Sequence, residues 1–249
     1  MKIQRAIAVI AGLAMPLLAA QVQAAEIKVS ASTAVKTVLE DLLPQFEKTT
    51  GNKVVVTIAP AAVLKTQIDQ GAAFDVAILT VPITDTLVKE GKADTARTVI
   101  AHAGIGVAIK KGATKPDIGT TEAFKSALLN AKSIGFTAGG ASGVYLTSLF
   151  EKLGIADALK PKLKLLKGPV GEAASSGEVE LGMTQISEIL PYPGAELAGP
   201  LPSDIQSYTY FSAAVAVASK EQDAAKALIK FLAAPAALAV IKGKGMEPG

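Results

Sequence analysis

The chain has 249 residues, half of them hydrophobic and 19% charged, with 25 basic against 22 acidic side chains and a formal charge of +3. That length holds one large domain or two small ones and buries enough surface to fold without a metal or a disulfide. It has no Cys and a single His, His102, which excludes thiol nucleophiles, thiolate metal sites, iron–sulfur clusters, disulfides, two-histidine metal sites and histidine relays.

The N-terminus reads as a secretory signal. Lys2 and Arg5 precede an apolar run from Ile7 to Ala20, followed by Gln21-Val22-Gln23-Ala24 with small or β-branched residues placed for a cut after Ala24. The run is shorter than the roughly 20 residues that span a bilayer, so residues 1–24 are expected to be removed on secretion and the rest to be soluble. Removal takes two basic residues and no acid, leaving 23 − 22 = +1 and Arg97 as the sole arginine. Nucleic-acid binding needs clustered basic side chains. The densest run, Lys160, Lys162, Lys164 and Lys167, reads as a solvated face, and no nucleic-acid partner is expected.

From Glu26 the periodicity alternates. Glu26–Ser30 predicts a strand; Val35, Val38, Leu39, Leu42, Leu43 and Phe46 recur at helical spacing up to Gly51. Val54–Ile58 predicts a strand, Ala61–Gln70 a helix, Phe74–Leu79 a strand covered on both faces, and Thr84–Glu90 a helix. The pattern restarts with strand Ile105–Lys110, helix Thr121–Asn130, strand Ser133–Thr137 and helix Val144–Leu153. Strands at Lys164–Leu166, Leu181–Thr184 and Phe211–Ala218 follow. A last helix runs from Ser219, with Gln222 placed to complete a capping box, to Ala233. The expectation is an α/β chain of two lobes, each a mainly parallel sheet flanked by helices. Lobe I takes residues 25–100 and 219–249 and lobe II residues 101–218, with crossings near Arg97–Ala103 and Ser212–Ser219.

Little in the chain asks for catalysis. Gly140-Ala141-Ser142-Gly143-Val144 lacks the glycine spacing of a nucleophile elbow. Glu40 with Asp41, and Glu178 with Glu180, read as solvated carboxylates, and no phosphate-binding glycine motif is present. His102 reads as a hydrogen-bonding residue between lobes. Hydroxyl and glycine clusters instead recur where strands hand over to helices: Ser30, Ser32 and Thr33; Thr80 and Thr84; Thr137 to Ser142; Thr184-Gln185-Ile186-Ser187. Ligands of open α/β sheets sit outside the carboxyl ends of strands, where helix N-termini favour anions. These clusters predict a polar, uncharged cleft.

Several segments carry a family resemblance: the signal, Lys28-Val29-Ser30-Ala31-Ser32-Thr33-Ala34, Phe46-Glu47-Lys48-Thr49-Thr50-Gly51, Gln67-Ile68-Asp69-Gln70-Gly71 and Asp75-Val76-Ala77-Ile78. Ala141-Ser142-Gly143-Val144-Tyr145, Glu151-Lys152-Leu153-Gly154, Gly177-Glu178-Val179-Glu180-Leu181-Gly182, Phe231-Leu232 and Pro235-Ala236-Ala237 extend it. In order and spacing the chain resembles the periplasmic molybdate-binding proteins of ABC importers and their wider group of type II solute-binding proteins. The resemblance implies two lobes that close on a small solute and deliver it to a membrane permease; the chain is expected to be a monomeric receptor without cofactor or catalysis. It implies ligand contacts at Ser32 and Thr33, close to Ala34 where the first family serine falls. It also implies contacts at Ala61, where the second falls; at Ser142; at Val170, in the Gly168–Gly171 turn; and at Gln185, in place of the family tyrosine. Those replacements leave the ligand open between an oxyanion such as molybdate or tungstate and a small organic solute. The alternative from another class is a periplasmic enzyme or ligand sensor using the same cleft.

Overall fold

A computed structural model describes residues 24–249; the expected signal segment, apart from Ala24, lies outside them. The chain opens with β1 (Glu26–Ser32), α1 (Lys36–Thr50), β2 (Lys53–Ala59), α2 (Ala61–Asp69), β3 (Val76–Thr80) and α3 (Val81–Lys89). β1 lies between β2 and β3 and runs parallel to both, with Ser32 opposite Ala59 and Ala31 opposite Ile78. α1 buries Val38, Leu39, Leu42, Leu43 and Phe46 on one face, each side chain contributing about 1.5–3 kcal/mol. Pro44 sits inside this helix but on its exposed face, where water can reach the carbonyl that loses its partner. Gly51 ends the helix at φ 77°, a conformation that glycine takes without strain.

The next elements are β4 (Thr98–Lys110), α4 (Thr121–Asn130), β5 (Ile134–Phe136), α5 (Ala141–Lys152), α6 (Ala156–Leu159), β6 (Leu163–Leu165), α7 (Val170–Ser176), β7 (Leu181–Gln185) and β8 (Ala195–Pro200). β5 lies between β6 and β7, again parallel to both, so the second half repeats the 2-1-3 strand order of the first. β9 (Tyr208–Val215), α8 (Gln222–Leu232), α9 (Pro235–Gly243) and β10 (Glu247–Pro248) complete the chain. The sheet order is β2-β1-β3-β9-β4-β7-β5-β6, with β8 and β10 also on β4.

β4 serves both halves. Its residues Thr98–Gly104 pair antiparallel with β9, and Ile105–Lys110 pair with β7 and β8. β9 in turn pairs with β3 along Val76–Thr80. The chain therefore changes strand partners between Gly104 and Ile105, next to the expected crossing near Arg97–Ala103, and returns to the first set of strands through residues 201–207, ahead of the expected one near Ser212–Ser219. The two connections are tied at one point. Ile105 N–H donates to Gln206 Oε1 at 2.9 Å, and Gln206 Nε2 donates back to the Ile105 carbonyl at 3.0 Å, which also accepts from Leu201 N–H at 3.0 Å, so a side-chain amide continues the pairing where β8 ends.

Separate apolar clusters fill the halves: Phe46, Val76, Ile78, Phe211 and Leu228 in the first, Phe124, Phe150, Leu146 and Met183 in the second. Ser219 and Gln222 form no capping box: Ser219 donates to Asp75 Oδ1 at 2.6 Å and accepts from Glu221 N–H, while Gln222 Nε2 donates to the Ala216 carbonyl. α5 begins at Ala141 rather than Val144, which moves Ser142 from a loop into the first helical turn.

Candidate functional site

The six candidate residues all lie at or beyond the carboxyl end of a parallel strand. Ser32 ends β1, buried, and precedes a single 3-10 turn, Thr33–Val35, without capping it through its side chain. Ala61 opens α2 behind Pro60, Ser142 is the second residue of α5, Val170 opens α7 and Gln185 ends β7. A second 3-10 turn, Ile186–Glu188, follows Gln185 and packs against Thr33–Val35, bringing the two edges together. The side chains differ in what they offer. Ala61 packs with Leu64 and Leu79, and Val170 fills the space beside Gly182, so neither position presents a polar side-chain atom.

At α5 the backbone itself is the polar group. Gly140 caps the helix without a side-chain hydrogen bond, and the first bond closing the helix runs from Val144 N–H to the Gly140 carbonyl at 3.1 Å. The N–H groups of Ala141, Ser142 and Gly143 therefore face out of the helix end, where the dipole favours an anion. The turn folds this tightly because Gly143 lacks a side chain: a Cβ there would lie 1.9 Å from the Thr137 carbonyl oxygen.

Gln185 belongs to a hydrogen-bond chain. Its Nε2 donates to Thr209 Oγ1 at 3.3 Å, and its Oε1 lies 3.4 Å from the Thr184 hydroxyl, which also bonds the Glu188 carboxyl. One hydroxyl hydrogen cannot serve both acceptors. Burial pushes the Glu188 carboxyl above its ordinary value, and the Thr184 bond offsets this only in part. A Glu188 that keeps its proton donates it to Thr184, freeing the Thr184 hydrogen for Gln185 Oε1. Tyr192, itself raised mainly by burial and then by Glu172, shares this surrounding. The neighbouring Ser187 hydroxyl is buried without a hydrogen-bond partner among the described residues.

Next to this edge lies a cavity of about 540 Å³, walled by Thr80, Val81 and Pro82 from the β3–α3 handover, Arg97, Val99, Ala141, and Tyr208, Thr209 and Tyr210. None of the six candidates is in the wall, but Ala141 adjoins Ser142, and Thr209 is the partner of Gln185. A larger hollow of about 710 Å³ lies at the opposite, amino-terminal edge of β1 and β3. There Asp75 is already engaged by Lys28 N–H and Ser219, so it builds fold rather than a site. Residue types alone did not single out Thr209, Tyr208 or Tyr210; the polar–aromatic alternation of Tyr208-Thr209-Tyr210 is the signal that was there to read. His102 does not join the halves by a hydrogen bond. It lies in the first sheet, stacked on Tyr210 at 4.7 Å and edge-on to Tyr208 at 5.5 Å, and its Nδ1 has no hydrogen-bond partner among the described residues. Among the described residues, no group of three or more His, Asp or Glu is arranged to hold a metal ion.

The family model for bacterial extracellular solute-binding proteins matches residues 27–247. A protein named aconitate isomerase from a Pseudomonas species is 32% identical over 241 residues, covering 94% of this chain and 91% of that one. The molybdate-binding protein ModA of Azotobacter vinelandii is 30% identical over 246 residues, covering 92% of each. Among solved structures, the sulfate-binding protein SubI of Mycobacterium tuberculosis superposes with a TM-score of 0.75 at 16% identity, over 90% of this chain and 87% of that one. The substrate-binding domain of a molybdenum ABC transporter from Clostridium difficile does so with 0.70 at 21%, over 91% and 100%.

Proposed function

The chain belongs to the bacterial extracellular solute-binding proteins, and from that premise we propose that it is a periplasmic receptor that captures a small organic anion between its two halves and hands it to an ABC permease. The observation that carries the reading is the meeting of two sets of strand-to-helix handovers at one edge, beside a cavity of about 540 Å³. Buried hydroxyls at Ser32 and Ser142, the Gln185 amide and the open N–H groups of α5 supply neutral donors for an anion. The cavity volume falls within the 300–1,000 Å³ typical of organic ligands. Ala61 and Gln185, where molybdate-binding relatives carry hydroxyls, also favour an organic anion.

Closure would use the tied connections at Ile105 and Gln206, with Ser32 and Thr33 carried by one half and Ser142, Val170 and Gln185 by the other. A second reading, isomerisation of a bound tricarboxylate, has specific support in the 32% identity to the protein named aconitate isomerase.

A thermal-shift panel of molybdate, tungstate, sulfate, acetate, succinate, tricarballylate, citrate and cis-aconitate tests the proposal. A ligand at 100 times its Kd stabilises by about 2.7 kcal/mol, a midpoint rise of about 5–11 °C for a chain of this size. Carboxylates are expected to shift the midpoint. A shift confined to molybdate and tungstate would reject the organic ligand. Proton NMR of the released ligand separates the two activities: a receptor returns it unchanged, an isomerase does not.

A further inference from the structure

Arg97 is the one arginine among the described residues and the one charged side chain in the cavity wall. It donates from Nε to Asp85 Oδ1 at 2.5 Å. Asp85 is on α3, the helix whose first residues, Val81 and Pro82, form the adjoining wall. The pair is partly shielded, with side-chain exposures of 31% for Arg97 and 40% for Asp85. This bond fixes the guanidinium plane through its Nε edge. The two terminal nitrogens make no hydrogen bond to the described residues, and four N–H donors remain on them.

The wall around Arg97 is otherwise of two kinds. Val81, Pro82, Val99 and Ala141 are apolar, and Thr80, Thr209, Tyr208 and Tyr210 carry hydroxyls; no carboxylate lies in it. Tyr208 and Tyr210 are about half exposed, at 54% and 47%. A fixed guanidinium edge in such a wall suits a planar carboxylate, which it can take through two parallel N–H···O bonds. The same cavity reaches Ala141 at the open end of α5, so an anion seated there and a carboxylate at Arg97 would belong to one molecule.

We propose that Arg97 is a second anion subsite of this cleft, held in position by Asp85, and that it selects ligands bearing two or more carboxylates on a short carbon frame. This rests on the organic-anion reading above. A single tetrahedral oxyanion has no second group to reach Arg97, whereas a dicarboxylate or tricarboxylate does. The apolar wall between the anchors takes the carbon frame, and the tyrosine hydroxyls remain for further oxygens.

Titration calorimetry of the mature chain with acetate, succinate, tricarballylate and molybdate tests this, using wild type, Arg97→Gln and Arg97→Lys. The readout is the ratio of tricarballylate to acetate affinity. Loss of a bidentate charged pair is expected to lower that ratio about 10–100-fold in Arg97→Gln. Arg97→Lys keeps the charge without the fork and should fall between the two. Circular dichroism melts report whether each variant is folded; because Arg97→Lys retains the cation beside Asp85, it answers the question even if Arg97→Gln does not fold. A wild-type ratio near one, or an unchanged ratio in a folded variant, overturns the subsite while leaving the receptor intact. Binding of molybdate with no carboxylate bound at all overturns the organic-anion reading itself, and the subsite with it.

Discussion

Glu188 shows how a residue outside the cavity can set what the cavity offers. Its carboxyl is raised by burial, so the folded chain holds a proton there at pH values where the unfolded chain has released it. Stability then falls as pH rises from the ordinary glutamate range of about 4.3 through the higher folded value, and the loss is complete above it. Glu188→Gln keeps the shape and donates from its amide to Thr184 at every pH. The variant is expected to be more stable than wild type at pH 8, with the difference vanishing near pH 4, as read by urea denaturation at the two pH values. A variant less stable at pH 8 would mean that Glu188 works as a carboxylate. Lys36, Glu172 and Tyr192 share the neighbourhood, so each should stay unmutated in the comparison. None of this was legible in Thr184-Gln185-Ile186-Ser187-Glu188 as text. Gln185 could be picked out by its place in a family pattern, but the contacts among Thr184, Gln185 and Glu188 depend on distances.

At the scale of the element, legibility followed burial. α1 and α4 were read within a residue or two, because each has an apolar stripe and a clear stop or cap, such as Gly51 or Thr120. α7, Val-Gly-Glu-Ala-Ala-Ser-Ser, gives little periodic signal because its residues are small, and only its first two residues fall in the expected Gly168–Gly171 turn. α9 leaves little sign of its start because its first residue is Pro235: proline more often follows a helix, but the first helical position suits a side chain lacking an N–H. α5 is the instructive case for the site. Gly139, Gly140 and Gly143 read as loop, yet Gly143 is there because the helix starts against the Thr137 carbonyl. Gly143→Ala is therefore expected to destabilise the chain by about 1–3 kcal/mol and to weaken ligand binding as well, since the N–H groups at the helix start would shift. Chemical denaturation and calorimetry on the same preparation read both effects. A Gly143→Ala chain as stable as wild type would show that the close approach relaxes at no expense.

For the whole molecule, the parallel units were legible and their assembly was not. Two βαβ runs announce themselves by local period, but β9 joins the first sheet through residues far away in sequence, opposite β3 and β4. That placement leaves Gly104–Ile105 and residues 201–207 as the strands of chain between the halves, with the Gln206 amide bonded to both polar groups of Ile105. The tie keeps the two connections in register while leaving few other backbone bonds between the sheets at this point, the arrangement expected of a hinge. Small-angle scattering should accordingly give a smaller radius of gyration at saturating tricarballylate than without ligand. Gln206→Ala leaves the Ile105 N–H without its partner, and the closed form, in which the connections must stay aligned, should then need more ligand to fill. The same change in radius should still be reached at saturation. An equal radius with and without bound ligand in the wild-type chain would show that capture occurs in a cleft that does not close.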